Sequence, residues 1–383
     1  MFIRRVRLRN FQVFGPEPVS VELGRYTQLL GANWAGKTAL LEALSRLFSP
    51  LPGIRKIRRE DFHPLDHSHT AAGETTEQVL WIEADVDISV RMGDHLAAEL
   101  PQRIREMCIQ TDAGETGAPI RIRLTATLGP DGPITEKIEY VIAVDSRNEP
   151  LRCAPMPDSD RAYFEVHYLP TQTQVAGEVL RASASYMESK MRDGSEPAAN
   201  TQLNAFISAA IDILRQARAI LDSEIHGDSA SLKADTELSD PDFSATPFAP
   251  NEIEQVLREL VAPASSMPTK AEPRSLTDGQ KTLLHLAMVL ARHSLTHSTQ
   301  TSNETPLGTD IPAMPLLTLV AMDDLVNLPA QYQVWATMML SETKHLTGLQ
   351  EVLATRARPY CVGRYARSLP EEQRETYVEI PLP

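Results

Sequence analysis

Residues 29–44 read LLGANWAGKTALLEAL, and this stretch decides the fold. Four of its residues satisfy the phosphate-loop pattern G-x-x-x-x-G-K-[ST]: Gly31, Gly36, Lys37 and Thr38. An apolar segment precedes the loop and a helix-forming segment, TALLEALSRLF, follows it, which is the strand, loop and helix order that a phosphate loop needs. The stretch therefore predicts a nucleoside triphosphate site in an α/β fold.

The residue types of this loop suit a triphosphate bound with magnesium. Glycines let backbone N–H groups turn inward around phosphate oxygens, and the start of the following helix adds a partial positive charge. Lys37 is expected to reach the β and γ phosphates, and the Thr38 hydroxyl is expected to ligate Mg²⁺. We expect ATP and Mg²⁺ as cofactors, bound by the loop residues Gly31, Asn33, Gly36, Lys37, Thr38 and Ala39.

The composition argues against a membrane span and a broadly basic surface. The chain has 383 residues, of which 42% are hydrophobic and 23% are charged, ordinary values for a globular protein with a real core. It has no apolar run of about eighteen residues, and MFIRRVRLRNFQVF at its start lacks the apolar centre of a signal peptide. Three scattered cysteines fit a reducing compartment, so we expect a cytoplasmic protein. The net charge of −14 disfavours polyanion binding by the whole surface but leaves a local basic groove open.

Hydrophobic periodicity divides the chain into strands, helices and polar connections. Period-two alternation or a short apolar run predicts strands at residues 2–8, 19–23, 26–30, 78–90, 119–129, 134–145 and 163–170. The turn GPDG joins two of them into a hairpin. Helical spacing predicts a helix from Lys37 to about Phe48 and another within 173–221, which is either a dimerisation element or an ordinary packing helix. Polar, turn-rich residues predict connections at 223–250 and 296–312.

A second motif is SLTDGQKTLLHLAMVLARH at residues 275–293. A short polar turn ending in Gly279 opens an amphipathic helix, so another set of N–H groups is presented at a helix start. The turn resembles the signature L-S-x-G-[QE] of the ABC-type ATPases of the SMC and RecF group, with Thr277 in the serine position. In that group two heads meet head to tail, and the signature of one completes the phosphate loop of the other. The resemblance implies nucleotide binding by Thr277, Gly279 and Gln280 and a homodimer or higher oligomer.

A third motif, PLLTLVAMDDLVNLP at residues 315–329, is a buried-type apolar strand that ends in two carboxylates, as Walker B segments do. Asp323 is expected to hold the Mg²⁺ shell with Thr38, and Asp324 to polarise the attacking water, so Lys37, Asp323 and Asp324 are the predicted catalytic residues. The three motifs predict the α/β fold of an ABC-type P-loop ATPase head, with a mixed sheet, an antiparallel β lobe and a helical insertion for dimerisation. The predicted domains are an N-terminal ATPase lobe, a helical insertion with a polar linker, and a C-terminal ATPase lobe: residues 1–170, 171–250 and 251–383.

The chain also resembles the OLD family (overcoming lysogenization defect) of ATP-dependent endonucleases, whose relatives include the Gabija nuclease-ATPase. The resemblance rests on VRLRNFQVF at residues 6–14, IRKIRREDFH at 54–63, VHYLP at 166–170 and the long spacing between the second and third motifs. It implies the ATPase module of an antiphage defence system, in which ATP-dependent dimerisation of the heads gates a nuclease or effector. Nothing after TYVEIPLP supplies the Glu and D-x-D of that family's Toprim nuclease. Three possibilities stay open: a nuclease domain that follows, a partner chain that carries it, or none.

Two departures from the OLD pattern predict slow hydrolysis. Walker B segments of that family usually end in Glu-Glu-Pro-Glu-Asn, whereas here Asp323 and Asp324 precede Leu-Val-Asn. Aspartate is one methylene shorter than glutamate, and a misplacement of about 1 Å costs about a hundredfold in rate. The switch segment aligns with TRARP at residues 355–359, which puts Ala357 where the family has a histidine on the γ-phosphate. We therefore expect ATP binding with weak turnover.

Two other functions stay open on the sequence. One is a DNA-repair ATPase of the RecF and SMC kind that clamps DNA itself, which a long coiled coil would favour; we find only short helices without sustained heptads. The other is a degenerate ATP-binding scaffold that holds a partner effector. Contact with DNA would use basic residues of the first strand or of the run after the first helix: Arg4, Arg5, Arg7, Arg9, Arg55, Lys56, Arg58 and Arg59. The arginines of the strand would equally serve as solvated residues that block edge pairing.

Overall fold

The structure is a computed structural model of the 383-residue chain. The residues that it describes are 1–31, 35–64, 77–88, 102–109, 119–129, 132–170, 182, 186, 205–206, 208–214, 216, 278–301, 315–328, 330–343, 348–355 and 376–379.

The described residues form two sheets and several helices. The strands are β1 (Phe2–Arg9), β2 (Val19–Glu22), β3 (Tyr26–Leu30), β4 (Gln78–Asp87), β5 (Ile120–Leu128), β6 (Ile134–Val144), β7 (Pro150–Pro155), β8 (Phe164–Leu169), β9 (Leu317–Met322), β10 (Leu349–Thr355) and β11 (Thr376–Glu379). The helices are α1 (Lys37–Phe48), α2 (Pro52–Arg55), α3 (Gln102–Arg105), α4 (Asp158–Arg161), α5 (Asp278–Thr301) and α6 (Ala330–Thr343), with 3-10 turns at Arg59–Asp61 and Leu325–Asn327. The strands predicted before residue 170 and helix α1 are confirmed.

One sheet is antiparallel, in the order β2-β1-β4-β5-β6-β7. The predicted hairpin is confirmed, because β5 pairs antiparallel with β6 across the GPDG turn. Gly132 of that turn has a φ of 88°, a conformation that glycine adopts without a steric cost. Strand β7 was not predicted, because PLRCAP has a proline at each end and no apolar alternation. It forms the edge of the sheet, where proline is tolerated.

The other sheet is parallel throughout, in the order β11-β3-β10-β9-β8. Its central strands β9 and β10 are buried along their whole length, as expected for a parallel sheet covered on both faces. The sheet joins β3 and β8, which precede the helical insertion, to β9, β10 and β11, which follow it. The first motif, which follows β3, and the third motif, which follows β9, are therefore brought to the same end of one sheet.

The two sheets are joined by a buried glutamine. The Gln350 side chain accepts a hydrogen bond from Ile3 N at 2.8 Å and donates to the carbonyl oxygens of Ile3 and Gly24, both at 2.8 Å. Buried backbone groups need such partners, because an unpaired one costs about 1–3 kcal/mol. Gln350 thus fixes β10 of the parallel sheet against β1 of the antiparallel sheet.

Alternate residues of β9 contribute to two separate cores. Leu317, Leu319 and Ala321 pack with α1 and the antiparallel sheet, whereas Val320 and Met322 pack with α5 and α6 on the opposite face. The described part of the helical insertion also packs in this second core, through the buried residues Phe206, Ala210, Ile211 and Leu214. For these residues the structure therefore supports the ordinary packing helix rather than an exposed dimerisation element.

Helix α5 differs from its prediction in three respects. It begins at Asp278, so Gly279 lies in its first turn rather than in the preceding turn, and it runs to Thr301, into the stretch predicted as a polar connection. It is not amphipathic over residues 282–293, since every one of them is buried. The reason is that the helix is covered by the parallel sheet, by α6 and by the helical residues Phe206, Ala210, Ile211 and Leu214. No helix in the described part of the chain is long and apolar enough to cross a membrane.

Candidate nucleotide site

The phosphate loop lies between β3 and α1, as predicted. Gly36 ends the loop with a φ of 87°, and a Cβ there would lie 2.7 Å from Cζ of Phe14, so both backbone and packing require glycine. Helix α1 begins at Lys37 with no side-chain cap and no acidic residue in its first turn. Its first N–H groups have no carbonyl partner within the helix and carry a partial positive charge, which is the chemistry of an anion site. Ala39 contributes only such a backbone group.

The Lys37 side chain lies inside the loop. Its ammonium group donates to the Gly31 carbonyl oxygen at 2.6 Å, and the residue is 8% exposed. The lysine therefore reaches from the start of α1 back to the first residue of the loop. A cation held there is suitably placed for phosphate oxygens cradled by the same loop.

The first and third motifs meet at the carboxyl edge of the parallel sheet. The Thr38 hydroxyl donates to Oδ1 of Asp323 at 3.1 Å, although the two residues are 285 positions apart. Asp323 follows β9 directly and is 9% exposed. Its other carboxylate oxygen, Oδ2, accepts a hydrogen bond from the Tyr168 hydroxyl at 2.9 Å. The predicted pairing of Thr38 with Asp323 is thus present, and Tyr168 is an additional residue of the site.

Asp324 is held in a different way from Asp323. Its φ of 52° and ψ of 53° are left-handed, a conformation that aspartate tolerates better than most residues. The Asn327 amide donates to Oδ2 of Asp324 at 2.8 Å, and the Asn327 backbone N–H donates to the Asp324 carbonyl at 2.8 Å. The turn after β9 therefore directs the second carboxylate separately from the first. Left-handed non-glycine residues of this kind are concentrated at functional sites.

The electrostatics of the site favour a divalent cation. Burial raises the pKa of Asp323, and hydrogen bonds from Tyr168 and Thr38 oppose that shift. Burial likewise raises the pKa of Glu42 on α1, with nearby Asp61 and Asp323 adding to the effect. Desolvation is thus the main cost of ionising these two carboxylates, and a bound cation would offset that cost. Burial also raises the pKa of Tyr168 well above its ordinary value, so the phenol stays a proton donor at neutral pH.

The donor set fits Mg²⁺ in chemical type. Thr38 and Asp323 offer hydroxyl and carboxylate oxygens, which magnesium prefers. In the described residues no group of three or more His, Cys, Asp or Glu side chains forms a metal cage. Magnesium commonly uses one or two protein oxygens together with substrate phosphates, so this sparse set is the one expected beside a phosphate loop.

The segment IRKIRREDFH is fixed to α1 by a buried carboxylate. Asp61, which is 0% exposed, accepts bonds from Arg46 Nε at 2.8 Å and Nη2 at 3.1 Å. It also accepts a bond from Gln12 Nε2 at 3.2 Å, and the same nitrogen donates to Glu42 Oε2 at 2.5 Å. The turn after β1 is thereby held against the helix that follows the phosphate loop. Asp61 and Gln12 were not predicted as site residues, because only the fold brings them to α1.

The signature segment is described only in part. Thr277 lies outside the described residues, as do Asn33 and switch residues 356–359; Thr355 ends β10 and is buried. Gly279 and Gln280 lie in the first turn of α5. A Cβ on Gly279 would come within 2.5 Å of the Tyr332 ring on α6, so the close approach of the two helices requires glycine there.

Two arginines of β1 form ion pairs with acidic residues of neighbouring strands. Arg5 contacts Glu22 at 2.5 Å, and Arg7 forms an ion pair with Glu83 of β4. Glu83 also pairs with Arg123 of β5 at 3.2 Å, so charges alternate across neighbouring strands. Arg5 and Arg7 therefore stabilise the sheet and are poor candidates for DNA contact.

The remaining predicted basic residues divide by exposure. Arg55 is half-buried, and the exposed ones are Arg4, Arg9, Lys56, Arg58 and Arg59. Arg58 lies 3.7 Å from Glu60, a weak surface pair. A phosphate backbone would meet these exposed residues rather than the paired arginines of the sheet.

Comparison with solved structures identifies the fold. A crystal structure of an SMC head bound to the C-terminal winged-helix domain of ScpA aligns with a TM-score of 0.50 and 13% identity, covering 94% of this chain and 92% of that one. The chain has the fold of an ABC-type ATPase head. An SMC head from Pyrococcus furiosus with an extended coiled coil, bound to the C-terminal domain of ScpA, aligns at 13% identity over 94% of this chain and 91% of that one, with a TM-score of 0.43. The recombination mediator RecF with ATP aligns at 11% identity over 94% and 93%, with a TM-score of 0.37.

At the level of sequence, no protein-family model matches this chain, and no curated protein matches it. The resemblance to the OLD family stays a prediction.

Proposed function

We propose that this ABC-type head binds ATP with Mg²⁺ and hydrolyses it slowly. The observation that carries the proposal is the contact of Thr38 with Asp323 at 3.1 Å, because it joins the phosphate loop to the Walker B strand across 285 residues. A chance match to a phosphate-loop pattern would not also place a carboxylate against its threonine. The fold supports the same conclusion.

Each side chain has a role that follows from its position. Lys37 neutralises charge on the β and γ phosphates, and the first N–H groups of α1, those of Thr38 and Ala39 among them, donate to phosphate oxygens. Thr38 and Asp323 would hold Mg²⁺, which would supply neutralisation of the charge that develops on the phosphates. Asp324 orients the attacking water. The amide of Asn327 holds the Asp324 carboxylate in place.

Slow turnover follows from the shorter acid at position 324. An aspartate there sets the carboxylate back by about one methylene, and a misplacement of about 1 Å costs about a hundredfold in rate. Asp324→Glu is therefore expected to raise steady-state ATP turnover, and Asp324→Asn to abolish it while ATP remains bound. Turnover by Asp324→Asn equal to that of the wild type would refute this role.

We further propose that ATP brings two heads together. The start of α5, with Thr277, Gly279 and Gln280, would complete the phosphate loop of a second copy, as the resemblance to the SMC and RecF group implies. Light scattering on Asp324→Asn, which retains ATP, is expected to show dimers with Mg-ATP and monomers without it. Lys37→Ala should stay monomeric in both conditions, and a mass independent of ATP would contradict the proposal.

The dimer would gate a nuclease or effector of an OLD-like antiphage system, in the same chain or in a partner such as a Toprim nuclease. The support is the resemblance of the three motifs and of the segments around Phe11, Asp61 and Tyr168. Two alternatives give different results with DNA. A DNA-clamping repair ATPase predicts DNA-stimulated turnover that is lost when Lys56, Arg58 and Arg59 are replaced by alanine. A scaffold predicts that the chain binds ATP and does not hydrolyse it, with or without DNA.

A further inference from the structure

The Walker B carboxylate is held from two sides by two different elements. The Thr38 hydroxyl on α1 contacts Oδ1 of Asp323 at 3.1 Å, and the Tyr168 hydroxyl on β8 donates to Oδ2 at 2.9 Å. Oδ1 thus contacts Thr38, a residue suited to bind Mg²⁺. Oδ2 contacts Tyr168, a residue that is not. We propose that Tyr168 is a positioning residue for the magnesium site, fixing Oδ2 of Asp323 so that Oδ1 faces Thr38. This inference rests on the function proposed above.

The sheet places Tyr168 at this point with little freedom. Strands β8 and β9 are parallel, with Tyr168 opposite Ala321 and Leu169 opposite Met322. One residue further on, the Asp323 backbone N–H donates to the Leu169 carbonyl at 3.2 Å. The backbones on both sides of the side-chain hydrogen bond are therefore tied together. A phenol on such a strand fixes a carboxylate better than a side chain on a loop would, because its position is set by the sheet register.

The surroundings explain why the carboxylate needs this anchor. Asp324 disfavours the ionised form of Asp323, and Asp323 in turn raises the pKa of Glu42, so these three acidic side chains influence one another's charge. Without the phenol, the Asp323 carboxylate would be free to rotate away from these negative groups and from Thr38. Hydrogen bonds to a metal-ligating carboxylate orient the ligand, and loss of such a partner typically weakens metal affinity about 10–100-fold.

The chain offers a matched control for this bond. Tyr140 on β6 donates to Oδ2 of Asp160 at 2.9 Å, in the first core and remote in sequence from the phosphate loop. Tyr168→Phe and Tyr140→Phe each remove one hydroxyl that donates to an aspartate. Only the first of them removes a contact to the predicted metal ligand.

The test measures the affinity for a fluorescent ATP analogue with saturating Mg²⁺ and with EDTA. For Tyr168→Phe we expect the gain in affinity that Mg²⁺ gives the wild type to fall about tenfold or more, with binding in EDTA within about twofold of the wild type. Tyr140→Phe should keep the full gain, and thermal unfolding should show that both variants are folded.

Three results would overturn the proposal. An unchanged Mg²⁺ gain in Tyr168→Phe would show that the phenol does not orient the carboxylate. An equal loss of affinity with Mg²⁺ and with EDTA would assign Tyr168 a purely structural role. Absence of ATP binding by the wild type would refute the proposed function itself, and this inference would fall with it; the wild-type titration alone tells that case from the other two.

Discussion

The buried histidine of α5 is expected to make the chain lose stability in mild acid. His285 is 3% exposed and lies edge-on to the ring of His167, with 6.4 Å between the ring centroids. Burial, together with the nearby His167, lowers the pKa of His285 to about 3. The other charged groups of this cluster are Glu165 of β8 and Arg292 of α5, which form an ion pair.

The sign of the effect follows from where the proton binds. A histidine in the unfolded chain has a pKa of about 6.5, whereas the folded chain keeps His285 neutral until the pH approaches about 3. Protons therefore favour the unfolded state. The stability that this group contributes is complete above about pH 6.5 and is lost as the pH falls toward the folded pKa. At pH 5 the unfolded histidine is almost fully protonated and the folded one is not, so the free energy of unfolding drops by about 2 kcal/mol relative to pH 7.

Urea unfolding at pH 7 and pH 5 measures this drop, with His285→Leu as the comparison, because leucine fills the buried site without titrating. The wild type should lose about 2 kcal/mol more than the variant between the two pH values. Glu165, whose pKa the adjacent Arg292 lowers against its burial, adds acid sensitivity mainly below pH 5 in both proteins. An equal loss in the wild type and in His285→Leu would refute the reasoning.

Two further substitutions test the packing and the phosphate loop. Arg292→Met leaves the Glu165 carboxylate buried without its guanidinium partner and should cost about 3–5 kcal/mol in urea unfolding; adding Glu165→Gln should recover part of that loss, and no recovery would argue against the pair. Gly36→Ala puts a side chain 2.7 Å from the Phe14 ring at a φ of 87°, and should cost about 1–3 kcal/mol and weaken ATP binding. Gly53→Ala is its control, because no atom lies within 4 Å of the new Cβ. This control should change stability by less than about 1 kcal/mol. Similar effects of the two substitutions would contradict the requirement for glycine at position 36.

Features fixed by neighbouring residues could be read from the sequence. The phosphate loop, α1 and the β5–β6 hairpin carry their signals within a few residues, as glycines, helical spacing and a turn. The fold class followed because three such motifs occur in one order. The length of α5 could not be read in this way, since its last turns are rich in Ser, Thr and His, which also suit a loop.

Features that depend on strand register could not be predicted. Tyr168 is an ordinary residue of a predicted strand, and its bond to Asp323 spans 155 positions. Gln350 in β10 likewise has no partner in the nearby sequence, and its role is seen only when Ile3 and Gly24 are placed beside it. The alternation of arginines in β1 indicated an amphipathic strand, but their partners on β4 became known only from the pairing of the sheet.

The central claim, that the loop around Lys37 binds ATP, is tested most directly by equilibrium titration of the wild-type chain with a fluorescent ATP analogue in the presence of Mg²⁺. Lys37→Ala is the variant to compare. Lys137→Ala, on an exposed lysine of β6, is the matched control. We predict saturable binding by the wild type and by Lys137→Ala and a loss of at least about tenfold in affinity for Lys37→Ala, since the lysine is a principal contact of bound phosphates. No binding by the wild type, or equal affinity in Lys37→Ala, would contradict the account.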